Sequence, residues 1–355
     1  MAGPCDSMAC GGLRTPMKEL LDILGAVKAW PGRPEDLVLA TVARVEGNAY
    51  RHPGARLLLG PEGPICGSIS GGCLEGDVQA RAEEVRVGRQ PRLVRYDLRG
   101  DLDLIWGTGS GCEGLADILV EPLGPDPFRG WLGELAAGLR DRRTLCVATG
   151  LGQGPDAVLP LGARQVLAQG EPLPAGAEAL VERFEPPIAL WCLGAGEDAR
   201  PLVQLAATQG WSVGLADHRP AFLEPSRFPE AQALLSGRPE ATVPHMGLDS
   251  RSACVLLSHQ WERDLEALQL LLPSPVAYIG LLGHRRRGAR LLEALAETGF
   301  HPTADQLGRL FTPVGLDLGA SGPEGIALAV LAEIQAVMAG RPGGHLRDRR
   351  GPVHG

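Results

Sequence analysis

The stretch IALWCLGAGEDARPLVQLA, residues 188–206, constrains the chain more than any other. Its apolar start reads as a strand, Gly194, Gly196 and Ala199 follow as G-x-G-x-x-A, and a helix opens through Leu205. A helix entered so tightly after a strand aims unpaired N–H groups at whatever lies over the turn, and its dipole favours an anion there. WSVGLAD reads as the next strand and ends on Asp217, 21 positions beyond Gly196, where a carboxylate can bond a ribose hydroxyl. Two readings stand: a nucleotide or pyrophosphate site, or a tight strand–helix turn whose glycines serve packing alone. Asp217 disfavours a 2′-phosphate and so points to NAD over NADP, while Arg219 blunts that preference. A pterin dinucleotide satisfies the same motif, because the helix end recognises the pyrophosphate and not the nicotinamide.

The alternation continues downstream. ACVLLSH, a helix around Leu265 to Leu272, VAYIGLLG and a helix through Leu295 make successive strand–helix units, which imply a parallel sheet. His259 follows ACVLLS and so sits at the carboxyl end of that sheet, where ligands bind in this architecture. A helix-capping or solvated histidine fits the position equally. HRRR follows YIGLL, so Arg285, Arg286 and Arg287 emerge at the same edge, either to hold phosphate or as a solvated helix start.

The first half has a different pattern. LVLATVARVEG, ARLLLG, RLVRY and ADILVEPL are strand-like and separated by Gly/Pro turns, which describes a small α+β domain. The fold class is therefore α/β: a small α+β N-terminal domain followed by a C-terminal Rossmann-type domain with a mainly parallel sheet. The expected boundaries are a tail over 1–12, the first domain over 13–124, a connector over 125–187, the Rossmann-like domain over 188–345 and a tail over 346–355.

Two glycine loops in the first domain end in cysteine. GSISGGCLEGDV brings Gly67, Gly71 and Gly72 up to Cys73, at the start of a helix predicted over Leu74 to Val87. Helix N–H groups favour a thiolate at Cys73, Glu75 and Asp77 oppose it, and a small buried cysteine is the competing reading. IWGTGSGCEG repeats the theme with Gly107, Gly109, Gly111 and Cys112; such loops can cradle an anion, and thiolates suit a soft metal. Cys66 reads as a buried strand residue. Arg51 and Arg56 flank a Pro–Gly turn, as solvated charges or as anion contacts.

Composition narrows the function classes. A net charge of −8 with pI ≈ 5.6 opposes sequence-independent nucleic-acid binding, which needs a basic footprint. No apolar run approaches the ~20 residues of a membrane span, and the N-terminus lacks the pattern of a signal peptide, so cytoplasmic location is expected. The 8 cysteines contain no C-x-x-C pair and are scattered through a chain long enough to core itself, so neither a structural zinc site nor a disulfide framework is expected.

Taken together, ATVARVEGNAYRHPGARLLL, GSISGGCLEGDV, YDL, WGTGSGCEG, CLGAGEDARPLVQLAATQGWSVGLADHRP, LLSHQWERD, YIGLLGHRRR and TPVGLDLGASGPEGIALAVLAEI closely resemble the XdhC/CoxI family, in order, from about Leu37 to His354. The resemblance is weakest between Pro125 and Pro187. It implies an accessory factor rather than a turnover enzyme: a chaperone that binds molybdenum cofactor, as molybdopterin or a dinucleotide form, and protects it during sulfuration. It implies delivery to an apo molybdenum hydroxylase such as xanthine dehydrogenase, cooperation with a cysteine desulfurase, and a homodimer; NAD(P) enters as a further cofactor from the Rossmann loop itself. The residues that would contact cofactor are Cys73, Cys112, Gly71, Gly72, Gly194, Gly196, Ala199, Asp217, Arg219, His259 and Arg286, with Cys73 and Cys112 offered to the molybdenum. Three positions depart from the family pattern: Glu113 adds charge beside Cys112, Glu197 stands where histidine is common, and Gln260 where asparagine is. The alternative is an NAD-dependent oxidoreductase using the Rossmann loop, with His259 or a cysteine for acid–base chemistry, although no catalytic pair at fixed spacing is visible.

Overall fold

The computed structural model describes residues 12–15, 17–47, 50–97, 114–168 and 171–350. The chain divides into two compact units, Met1–Pro186 and Pro187–Gly355.

In the first unit, five antiparallel strands stand in the order β4 (Gly63–Gly67), β3 (Arg56–Gly60), β2 (Val38–Gly47), β6 (Gly114–Pro122), β5 (Arg92–Asp97). The central strand β2 is apolar on consecutive residues because both its faces are covered. Val38, Ala40 and Val42 pack under helix α2 (Glu75–Gly88) with Val78, Ala82 and Val85, while Leu37 and Leu39 join Leu20, Ile23 and Leu24 of α1 (Met17–Ala29). The second sheet has the order β1 (Leu13–Arg14), β9 (Ala179–Phe184), β7 (Leu145–Gly150), β8 (Arg164–Leu167), with helix α3 (Trp131–Arg140) contributing Leu132, Leu135 and Leu139 to the same core as α1.

The stretch 125–187, expected as a connector, thus folds into a helix and most of a sheet within this unit. The helix around Trp131 to Leu139 and the strand within RRTLCVATG are readable in the sequence, whereas the four-residue β8 and the six-residue β9 lie in its weakly patterned remainder. Arg56 is also not a solvated charge. It is buried and ion-paired with Glu182 of β9 at 2.5 Å, across 126 positions of sequence, and its guanidinium faces Phe184 and Trp131. Arg51 pairs with Glu19.

In the second unit, six strands lie parallel in the order β12 (Ala233–Ser236), β11 (Ser212–Asp217), β10 (Ala189–Leu193), β13 (Ser252–Leu256), β14 (Tyr278–Leu281), β15 (Leu310–Phe311). The order reverses between β10 and β13, the switch point at which a doubly wound sheet opens a crevice at its carboxyl edge. Helices α4 (Ala199–Thr208) and α9 (Pro323–Met338) cover one face through Leu202, Val203, Val330 and Ile334. Helices α6 (Trp261–Leu271) and α7 (Arg285–Glu297) cover the other through Leu268, Leu271, Leu291 and Leu295; the short α5 (Pro239–Thr242) and α8 (Ala304–Leu307) complete the unit. Burial on both faces explains the continuous apolar runs that betray these strands in sequence.

Among the described residues no helix is long and apolar enough to cross a membrane. Cys66, Cys73, Cys192 and Cys254 are free thiols, whereas Cys146 is disulfide-bonded, a pairing that spacing along the chain does not reveal.

Candidate functional site

The carboxyl edge of the parallel sheet gathers Gly194, Gly196, Asp217, Arg219 and His259. Gly194 has φ +120, and a Cβ there would come within 2.6 Å of the Leu257 carbonyl carbon at the end of β13. That glycine is required for the close approach of two strand ends. Gly196 is different: a Cβ there would meet nothing within 4 Å, so the turn is open on the ligand side. Ala199 is fully buried at the first turn of α4, where a small residue seats the helix on the sheet. The N–H groups of Gly196, Glu197 and Asp198 find no acceptor among the described residues. Three consecutive free donors before a helix suit a phosphate or pyrophosphate group.

Asp217 faces this loop, but its carboxylate is already engaged. Oδ2 accepts the Ala195 N–H at 2.8 Å and Arg219 Nη2 at 2.8 Å; Oδ1 accepts the Arg219 N–H and Nε, each at 2.9 Å. His218 Nδ1 lies a further 3.3 Å from Oδ1. Partial burial pushes the Asp217 carboxyl upward, yet the Arg219 guanidinium and the two backbone N–H groups together hold it below the usual carboxylate value. Arg219 in turn rests on the Phe222 ring, 3.8 Å from its centroid. Asp217 therefore braces the glycine turn and fixes Arg219, and Arg219 presents the more available polar edge of the two.

Glu197, an acidic residue in a loop suited to anions, is drawn off by Arg200 at 3.2 Å and Arg227 at 2.7 Å, whose hydrogen bonds lower its carboxyl. His259 occupies the left-handed region at φ +55 and directs Nε2 to Asp198 Oδ2 at 3.0 Å, linking the loop after β13 to the loop after β10. Arg286 is exposed on the first turn of α7, without a hydrogen bond or ion pair among the described residues. Its neighbour Arg287 turns inward to Asp264. Leu193, Gly194, Asp217, Ser258, Arg263 and Asp264 line a cleft at this edge. Asp198, Ser258 and Asp264 are not singled out by sequence. An acid in a helix first turn matches the helix dipole wherever it occurs, so Asp264 carries no local signature.

In the first unit, Cys73 sits two residues ahead of α2, half-buried and partly packed against the α2 core. The loop before it is held by Ser70, whose hydroxyl accepts the N–H groups of Gly72 at 3.2 Å and Leu74 at 3.0 Å and donates to Glu75. Glu75 also accepts the Ser70 N–H and the Ser68 hydroxyl, each at 3.1 Å. Burial raises its carboxyl, but these hydrogen bonds together bring it below the ordinary value. Gly72 has φ +110 with nothing within 4 Å of a Cβ, and Gly71 lies against the Tyr50 ring. Gly107, Gly109, Gly111, Cys112 and Glu113 lie outside the described residues. The strands flanking that segment, β5 and β6, meet where Asp97 pairs with Leu115. No cluster of three or more metal-ligating side chains occurs among the described residues.

The other free thiols are poor ligands. Burial pushes Cys192 up to about 12, and pushes Cys254 up as well, so both stay protonated. Cys66 is raised by burial, then by Asp22 and Glu19.

The strand order, the glycine turn and the carboxylate at the end of the second strand define the class: an α/β protein whose C-terminal unit is a Rossmann domain. Residues 190–334 match the family model described as the XdhC Rossmann domain, and residues 30–97 match that of the XdhC and CoxI family. The chain belongs to the XdhC and CoxI family. It is 34% identical over 314 residues to a Bacillus subtilis (strain 168) protein named as a probable xanthine dehydrogenase subunit, covering 84% of this chain and 92% of that one. It is 26% identical over 301 residues to the Escherichia coli (strain K12) "Molybdenum cofactor insertion chaperone PaoD", covering 84% and 83%. A crystal structure described as a xanthine dehydrogenase from Bacillus halodurans superposes with a TM-score of 0.74 at 28% identity, covering 91% of this chain and 96% of that one.

Proposed function

We propose that this chain is an accessory protein that receives molybdenum cofactor as cargo, shelters it while a cysteine desulfurase supplies sulfur, and passes it to an apo molybdenum hydroxylase. The observation that carries the reading is the similarity, along more than four fifths of both chains, to a relative named for molybdenum cofactor insertion. In this reading the protein works in the cytoplasm as a homodimer.

The first unit offers the metal a free thiol at Cys73, behind a glycine turn that leaves room for a bulky ligand at Gly72. A thiolate is a suitable ligand for a soft metal, and the Ser70–Glu75 bonds keep the loop in place as cargo arrives and leaves. Cys112 is the proposed second thiol. The Rossmann unit offers three free N–H donors and Arg219 to a pyrophosphate and its nucleoside, whether NAD(P) or the nucleotide part of a dinucleotide cofactor. Gly71, Gly194, Ala199 and Asp217 serve by shaping the two loops, and Arg286 by lending positive charge at the sheet edge.

The test is mass spectrometry of the material extracted from the full chain purified from a cofactor-producing host. A pterin supports the proposal. NAD alone, together with NAD-linked turnover of a small substrate, would replace it with the oxidoreductase reading, which the six-stranded order and open Gly196 turn also fit. A deletion strain should make its hydroxylase but load it poorly; full hydroxylase activity there would sink the accessory role.

A further inference from the structure

Three loops at the carboxyl edge of the Rossmann sheet are joined by one chain of polar contacts. Arg287, from α7, donates through Nη2 to Asp264 Oδ2 at 2.5 Å. Asp264, buried in the first turn of α6, accepts the Ser258 hydroxyl on Oδ1 at 2.6 Å. The Ser258 oxygen accepts the Gln260 N–H at 3.1 Å, and the Asp264 N–H returns to the Gln260 carbonyl at 3.0 Å. Between Ser258 and Gln260 stands His259, at φ +55, with its imidazole on Asp198.

A histidine in the left-handed region is strained and persists only where its surroundings hold it. Here the residues on both sides are held, and the holding groups trace back to one buried carboxylate. An ion pair such as Asp264–Arg287 gives little net stability once its desolvation is counted. Its effect on geometry is definite, however, because it fixes which way the Ser258 hydroxyl points and hence how the chain turns at His259. The product of that turn is an exposed imidazole within hydrogen-bond distance of Asp198, which caps α4 and carries one of the three free N–H donors.

We infer that Asp264, acting through Ser258, is a positioning residue that holds His259 over the glycine turn, so that the imidazole donates to a phosphate of a bound nucleotide in place of Asp198. The inference rests on nucleotide binding by the Rossmann unit, as proposed above. Asp264 touches no ligand in this scheme, and Arg287 keeps its carboxylate oriented.

The experiment is calorimetric titration of the full chain with ADP, alongside unfolding midpoints. Ser258→Ala and His259→Asn should each weaken ADP binding roughly tenfold, the size of one hydrogen bond to a charged group. Ser258→Thr, which keeps the hydroxyl, should restore binding to within about twofold, inside the scatter expected when no bond is lost. The double variant should bind no worse than either single one, because Ser258 acts only through His259. Ser258→Ala that melts lower yet binds ADP as the wild type does, or a double variant whose losses add, overturns the inference and leaves nucleotide binding standing. A wild-type chain that does not bind ADP overturns both.

Discussion

The Asp217 carboxylate and the Arg219 guanidinium, two residues apart, form a two-point contact at 2.9 and 2.8 Å while the same carboxylate holds the Ala195 N–H of the glycine turn. The carboxylate expected to meet a ribose is engaged as a brace for the loop. Asp217→Ala should weaken ADP and inorganic pyrophosphate alike, by roughly tenfold, because the phosphate cradle loosens. Calorimetry with both ligands decides the point: pyrophosphate has no ribose, so a variant that loses ADP alone would return Asp217 to the ribose role.

Gly194 and Gly196 should separate stability from binding. Gly194→Ala sets a methyl against the Leu257 carbonyl in a left-handed conformation and should cost upwards of about 3 kcal/mol of stability. Gly196→Ala meets no protein atom and should leave the unfolding midpoint almost unchanged while reducing ADP affinity. Equal affinity in the Gly196 variant would place the phosphate elsewhere.

Cys73→Ser should leave the fold intact and reduce the cofactor retained on purification, since a serine hydroxyl stays protonated and binds soft metals poorly. Retention and unfolding midpoint are measured together. A variant that melts lower but keeps its full complement of cofactor would make Cys73 a packing residue of the α2 core, with which it is in partial contact.

Glu182→Ala should destabilise the first unit by about 3–5 kcal/mol, because it strands the buried Arg56 charge. The double variant Arg56→Met, Glu182→Leu should recover much of that loss. Urea unfolding followed on the first unit's transition tests this, and a single variant as stable as the double one would show that Arg56 finds another partner.

The Glu75 carboxyl lies below its ordinary value, so it contributes stability above the unfolded value near 4.3 and loses it as pH falls through the folded value. Glu75→Gln should accordingly flatten the acid limb of the first unit's stability curve below about pH 4.3, with little change in slope at neutral pH. An acid limb identical to that of the wild type would mean that Ser70 and Ser68 do not favour the ionised form.

Much of the Rossmann half was legible in the sequence because its signals are local. Strands buried on both faces read as unbroken apolar runs, and the spacing from Gly196 to Asp217 follows from one helix and one strand. The glycine–cysteine loop before α2 was legible for the same reason, as small residues ending at a helix start. Tertiary structure alone decided how the charges are used. Asp217 looked free to meet a ribose, yet its oxygens are occupied by Ala195 and Arg219. Arg56 reads in sequence as a solvated charge or an anion contact at a Pro–Gly turn, yet its partner Glu182 comes from a strand in the stretch that read as a connector. Asp264 and Arg287 lie on separate helices, and only the packed unit brings them together beside Ser258. Periodicity reports which face of an element is buried; which polar atoms satisfy one another depends on distances set by the whole packed unit, and those have no signature along the chain.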